Sequence, residues 1–134
     1  MVCDVLGEMA FMVSDDEPAD PPADASWLEA EIRYLGPVEA ILRCRCTGAF
    51  ARELTANLLC LDAESCSEDE ANDGLREFMN VLCGQLVTAW HGREAVFNLS
   101  IPDVHAAAAP EDGDSPTCRL CVSGTPLFFW HSQA

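Results

Sequence analysis

The chain has 134 residues and sets 23 Asp and Glu against seven cations, all arginine, for a formal charge of −16. Nucleic-acid affinity comes mainly from cations that neutralise phosphates, and anionic lipid surfaces select cations in the same way, so this balance excludes both as partners. With 49% hydrophobic residues the chain is no acidic disordered tail; it reads as a single folded domain over residues 1–134 whose partner is a protein or a small molecule.

Val2, Val5, Leu6, Met9, Met12 and Val13 recur at helical spacing and predict a first amphipathic helix over 2–13. Ser14-Asp15-Asp16-Glu17-Pro18 stops it, and the Pro-, Ala- and Asp-rich stretch to Ser26 reads as a loop. Two alternating runs follow. Leu28, Ala30, Ile32 and Tyr34 face one way, and Glu29, Glu31 and Arg33 the other. After Leu35-Gly36-Pro37, the residues Val38, Ala40, Leu42, Cys44 and Cys46 share a face opposite Glu39, Arg43 and Arg45. Period-2 alternation on both sides of a Gly-Pro turn predicts an antiparallel hairpin of half-buried strands. Thr47 is placed to cap a helix running to about Cys60, with Phe50, Leu54 and Leu58 inward.

Ser67-Glu68-Asp69-Glu70 has the form of a capping box and opens the longest helix, which runs to about His91 with Gly92 as its stop. Ala95, Phe97, Leu99 and Ile101 alternate as a third strand ended by Pro102, and residues 103–116 read as a second loop. Cys118, Leu120 and Val122 begin a fourth strand; Gly124-Thr125-Pro126 turns into a fifth over Leu127–Trp130. Helices grouped apart from short-linked strands predict an α+β domain, an antiparallel sheet of about five strands covered by two to three helices. Trp27, Trp90 and Trp130 read as core residues.

The long helix carries the informative pattern. Leu75, Phe78, Met79, Leu82 and Leu86 cluster within about 100° of arc and form its core face. Asp73, Glu77, Asn80 and Gly84 recur at i, i+4, i+7 and i+11, one narrow stripe on the opposite side. Asn and Gly are poor interior helix residues, so helix stability does not ask for this outward stripe.

The stretch Asp73-Gly-Leu-Arg-Glu77-Phe-Met-Asn80, followed by Val81-Leu82-Cys83-Gly84 and later by Pro102, resembles the signature of the CheC/CheX/FliY family of response-regulator phosphatases. That signature is Asp or Ser, three residues, Glu, two residues, Asn, and a Pro a little over twenty residues on. Here 21 residues separate Asn80 from Pro102, one fewer than the usual interval. The motif occurs once. Glu53 and Asn57 on the preceding helix have three residues between them rather than two and supply no second copy, which makes the resemblance CheX-like. The element order and the helix segment Glu8-Met9-Ala10-Phe11-Met12 also look CheX-like.

The resemblance implies dephosphorylation of the aspartyl phosphate on a CheY-like receiver domain, in chemotaxis or other two-component signalling. Such a reaction needs an in-line water and charge stabilisation more than covalent help. By resemblance, Mg²⁺ and a lysine belong to the receiver, and this chain is expected to bind no cofactor of its own. Asn80 is then the candidate for orienting the water, since a carboxamide both accepts and donates. Glu77, one turn away, would meet the receiver's lysine; Asp73 and Gly84 would support partner binding, and Pro102 is motif-supporting. Some CheX-like proteins pair sheet edges into homodimers, so a homodimer is expected here too. The alternative is a docking or adaptor module in a signalling or flagellar-switch complex, without turnover.

Each residue also has an ordinary explanation: Glu77 a solvated acid, Asn80 a surface amide, Gly84 a point of tight helix packing, Pro102 a strand terminator. His91 and His105 lie in no nucleophile motif and read as ordinary. The N-terminus lacks a basic stretch, no apolar run is long enough to span a membrane, and a cytoplasmic location is expected. The eight cysteines then read mostly as small buried residues in a reducing compartment. A zinc site needs two ligand pairs, and only Cys118-x-x-Cys121 has pair spacing, so no metal site is expected.

Overall fold

The alternating runs fold as the expected hairpin. In the computed structural model, β1 (Trp27–Leu35) pairs antiparallel with β2 (Glu39–Thr47) along its whole length, with Ala30 opposite Cys44 and Ile32 opposite Leu42. Residues 2–10, 12, 15, 25–94, 96–111, 115–122 and 124–133 are described. The other elements are α1 (Val2–Ala10), α2 (Gly48–Leu59), a 3-10 turn at Ala63–Ser65, α3 (Glu68–His91), β3 (Asn98–Leu99), β4 (Asp103–Ala107), β5 (Cys118–Val122) and β6 (Thr125–Gln133). One antiparallel sheet of order β3-β1-β2-β6-β5, with β4 also on β1, is covered by the three helices, as the α+β reading requires.

The sheet's inner face carries Ile32, Tyr34, Leu42, Cys44, Cys46, Leu127 and Phe129. They pack into one core with Val5 and Leu6 of α1, Phe50 and Leu54 of α2, and the core face of α3. Each fully buried large side chain contributes about 1.5–3 kcal/mol, which sets the rotation of every helix about its axis. The α2–α3 crossing is tight at Gly74: an added Cβ would collide with the Thr55 hydroxyl and lie 2.8 Å from Thr55 Cβ. That hydroxyl donates to Ala51 O at 2.8 Å, so Thr55 cannot simply rotate away without losing a buried bond.

Four local expectations change. The first helix ends at Ala10 rather than Val13, and the Met12 N–H returns to Leu6 O at 3.1 Å, a closing bond of the kind that ends helices. Val13 and residues 16–24 lie outside the described residues. The expected third strand over 95–101 shrinks to Asn98–Leu99, and the expected loop after Pro102 holds β4 instead; Ala95 lies outside the described residues. Leu99 faces Tyr34 and Asp103 faces Glu31, so the chain takes four steps where β1 takes three. β3 and β4 are thus one edge strand broken by a bulge, and Pro102, with no N–H, sits in the break where no ladder donor is needed. The Arg33 N–H donates to Ser100 Oγ at 2.9 Å and Ser100 N–H to Arg33 O at 2.7 Å, which holds the bulge to β1. Finally, Gly124 takes φ +77° at the last turn, and Thr125 and Pro126 already belong to β6, opposite Val122 and Cys121.

Candidate functional site

Both ends of α3 are pinned as the sequence indicates. Ser67 Oγ accepts from Glu70 N–H at 3.1 Å while Glu70 Oε1 accepts from Ser67 N–H at 3.3 Å, and Gly92 closes the helix at φ +81°. Glu68, Asp69 and Glu70 in the first turn complement the helix dipole. Between these ends Leu75, Phe78, Met79, Leu82 and Leu86 are buried against the sheet.

With that face locked, the opposite stripe has one orientation. Asp73, Glu77 and Asn80 are exposed and Gly84 half-exposed, on one ridge facing away from the core. Asp73 Oδ1 binds Arg76 Nη1 at 2.7 Å, an exposed i,i+3 pair, so its charge is partly answered within the helix. Glu77 and Asn80 are different. Among the described residues neither side chain has a hydrogen bond or ion pair, and i,i+3 spacing makes the two neighbours. The helix therefore displays an unengaged carboxylate beside an unengaged carboxamide.

Gly84 discriminates between the two explanations open to it. A Cβ built there meets nothing within 4 Å, in contrast to Gly74, so packing within the chain does not require glycine. Its carbonyl accepts from Thr88 Oγ1 at 3.0 Å. Asn80, Val81, Gly84, Gln85, Thr88 and Ala89 line a shallow open depression along the helix. Gln85 and Thr88 were not singled out from sequence, although Thr88 continues the Asn80–Gly84 spacing by one more turn. Pro102 is not part of this depression, and its structural contribution is the bulge beside β1.

The histidines and tryptophans are less uniform than expected. Trp27 is buried, but Trp90 is 53% exposed at the end of α3 and Trp130 is half-buried on the sheet's outer face. His105 bridges Glu29 at 2.9 Å and Asp103 at 3.2 Å. His91 packs on Phe97 with ring centroids 4.9 Å apart, and its buried Nε2 has no hydrogen-bond partner. His131 Nε2 lies 2.7 Å from the Tyr34 hydroxyl, in a site where burial, then the nearby His91, lowers its pKa. Cys44, Cys46, Cys66, Cys83 and Cys121 are buried, whereas Cys60 and Cys118 are exposed; the described cysteines are free thiols. Among the described residues no three His, Cys, Asp or Glu side chains converge to hold a metal ion.

The family model described as chemotaxis phosphatase CheX matches residues 29–116. A comparison with curated proteins gave no match. Among solved structures, the chain resembles the chemotaxis protein CheX of Desulfovibrio desulfuricans, with TM-score 0.72 and 12% identity over 99% of this chain and 93% of that one. It also resembles the CheX of the CheX–CheY–BeF3–Mg²⁺ complex from Borrelia burgdorferi, with TM-score 0.67 and 17% identity over 98% and 92%. For Thermotoga maritima FliY the TM-score is 0.59, with 12% identity over 99% and 82%. At these identities the structural likeness speaks for the fold; the family match adds the sequence from β1 through the whole of α3 and its outward ridge. The chain belongs to the CheX family of chemotaxis phosphatases.

Proposed function

We propose that this protein hydrolyses the aspartyl phosphate of a CheY-like receiver domain by laying the outward ridge of α3 across the receiver's phosphorylation site. The observation that carries the reading is the exposed, unengaged Glu77–Asn80 pair on a helix whose opposite face is locked into the core. The family match and the CheX–CheY complex of a structural relative support a receiver as partner.

In this reading Asn80 orients the attacking water: its side-chain oxygen accepts a water proton while its NH₂ group donates to a nearby oxygen. Asn80 needs no rearrangement to do so, since no internal bond must break first. Glu77 would be repelled by a phosphoryl group, so its place on the ridge makes sense opposite a cation, the receiver's lysine, where it sets register and orientation. Gly84 lets the partner approach the helix backbone, and Asp73, already paired with Arg76, supports the rim. The Mg²⁺ belongs to the receiver and supplies charge neutralisation at the phosphoryl oxygens.

The test is loss of phosphate from a phosphorylated cognate receiver. Wild type should accelerate it; Asn80→Ala should lower the rate by about a hundredfold or more, with binding kept and stability changed by less than about 0.5 kcal/mol. Equal rates with both proteins overturn the role of Asn80, and tight binding without acceleration by wild type would establish the adaptor reading instead.

We further propose a homodimer formed along the β3–β4 edge. That edge has no second strand partner among the described residues, and Ile101 and Val96 beside it are 89% and 78% exposed. Sedimentation should give a dimer that Ile101→Asp converts to monomer; a wild-type monomer at micromolar concentration refutes it.

A further inference from the structure

Leu127-Phe128-Phe129-Trp130 puts apolar side chains on both faces of β6. A strand that reads this way is one covered on both sides. The core covers only the face bearing Leu127 and Phe129; Phe128 and Trp130 stay half-exposed on the other. The register lays two rows across that outer face. Glu29, Arg45, Phe128 and Arg119 stand side by side in one, and Glu31, Arg43 and Trp130 in the next.

The Phe128 and Trp130 rings stack with centroids 6.1 Å apart and planes 20° apart. The Arg119 guanidinium lies 5.1 Å over Phe128, and that of Arg45 5.4 Å over Trp130. Glu29 accepts from Arg45 Nε at 3.0 Å. Arg43 and Arg119 have no carboxylate partner among the described residues. A chain of charge −16 thus gathers three of its seven arginines around two open aromatic rings at one side of one sheet face.

We propose that this β2–β6–β5 half of the outer sheet face docks an acidic protein segment, its carboxylates on Arg43 and Arg119 and an apolar side chain on the Phe128–Trp130 pair. Charge complementarity selects this occupant. Guanidinium groups present a planar fork that takes carboxylates in bidentate fashion and can do so while stacked on a ring. Elsewhere the acidic surface repels such a segment, so the patch both attracts it and sets where it lands. The face lies across the sheet from the helices, so the segment and a receiver on α3 would not compete.

The probe is a short fluorescein-labelled peptide alternating Glu with Phe and Leu, titrated into the 134-residue chain. We expect saturable binding that weakens with added salt and is absent for the same peptide with Lys in place of Glu. Affinity should fall about tenfold or more in Arg43→Glu/Arg119→Glu. Asn80→Ala should bind as wild type does, which separates this surface from the phosphatase site. Arg43→Gln/Arg119→Gln, which removes charge without reversing it, should show the same direction if the first pair misfolds. The proposal is overturned by absence of saturable binding to wild type, or by binding that neither arginine pair weakens. It is also overturned if the pair instead abolishes self-association, making a second copy the occupant, or if anionic vesicles bind more tightly than the peptide.

Discussion

Replacing Gly84 by alanine should separate stability from function in a way no ordinary surface change does. Glycine in a helix interior costs about 0.5–1 kcal/mol relative to alanine. At Gly84 the added methyl meets nothing within 4 Å, so no packing penalty offsets that gain. The variant should therefore be stabilised by about 0.5–1 kcal/mol, or roughly 2–5 °C in Tm for a domain of this size. Gly74→Ala is the matched control on the same helix, three turns earlier. There the methyl collides with Thr55, whose hydroxyl is tied to Ala51, and overpacking should destabilise by about 1–3 kcal/mol. Urea unfolding of both variants measures the two signs. If Gly84 is glycine because a partner backbone approaches it, the stabilised Gly84→Ala should at the same time bind the phosphorylated receiver more weakly and hydrolyse it more slowly. A Gly84→Ala protein that is stabilised yet binds and turns over like wild type would refute the close-approach argument, and one that is destabilised would refute the open surroundings.

Glu77→Ala should weaken receiver binding about ten- to a hundredfold, the loss of one charge-assisted bond worth about 1.5–3 kcal/mol, and should flatten the salt dependence of binding measured by titration; an unchanged salt slope would argue against a cationic partner for Glu77. His131, whose pKa burial and His91 depress, binds its proton more readily in the unfolded chain, whose ordinary value is 6.5. Its contribution is therefore fully present above about pH 6.5 and lost as the pH falls from there through the folded value. Urea midpoints should drop on acidification across that window, less so in His131→Gln, and an identical drop in both proteins would remove His131 from the explanation. Burial pushes the Cys83 thiol up to about 11, and the hydrogen bond with Cys46, then burial, raises Cys44. Alkylation of the native protein near pH 8 should therefore label Cys60 and Cys118 ahead of these two, with Cys44 and Cys83 reacting only when urea is added; mass-spectrometric labelling of Cys83 in the folded chain would contradict its placement.

Local chemistry made much of this legible. Thr47 and Ser67 cap helices because a hydroxyl beside free N–H groups serves that purpose wherever the helix later packs. The β1–β2 hairpin follows from a period of two on either side of Gly36-Pro37, and the core face of α3 from a period near 3.6. The edge strand was opaque for the opposite reason. Asp103 and His105 are poor strand formers; His105 is held in β4 by Glu29 of β1, which stands opposite, and Asp103 by its own contact with His105. Trp90 reads as core from its size, yet at the end of α3 it meets the His131 ring of β6 and otherwise stays exposed.

The same division holds for the candidate site. The spacing of Asp73, Glu77, Asn80 and Gly84 is a property of the helix alone, so their common stripe could be read directly from the sequence. Whether that stripe faces water, whether Glu77 and Asn80 are already engaged, and whether Gly84 answers to a neighbouring helix depend on what lies across space from α3. Those contacts come from residues far away in the chain. The outer face shows this most plainly: Arg43, Arg45, Arg119, Phe128 and Trp130 come from three separate stretches, and only the β2–β6–β5 register sets guanidinium groups over the rings.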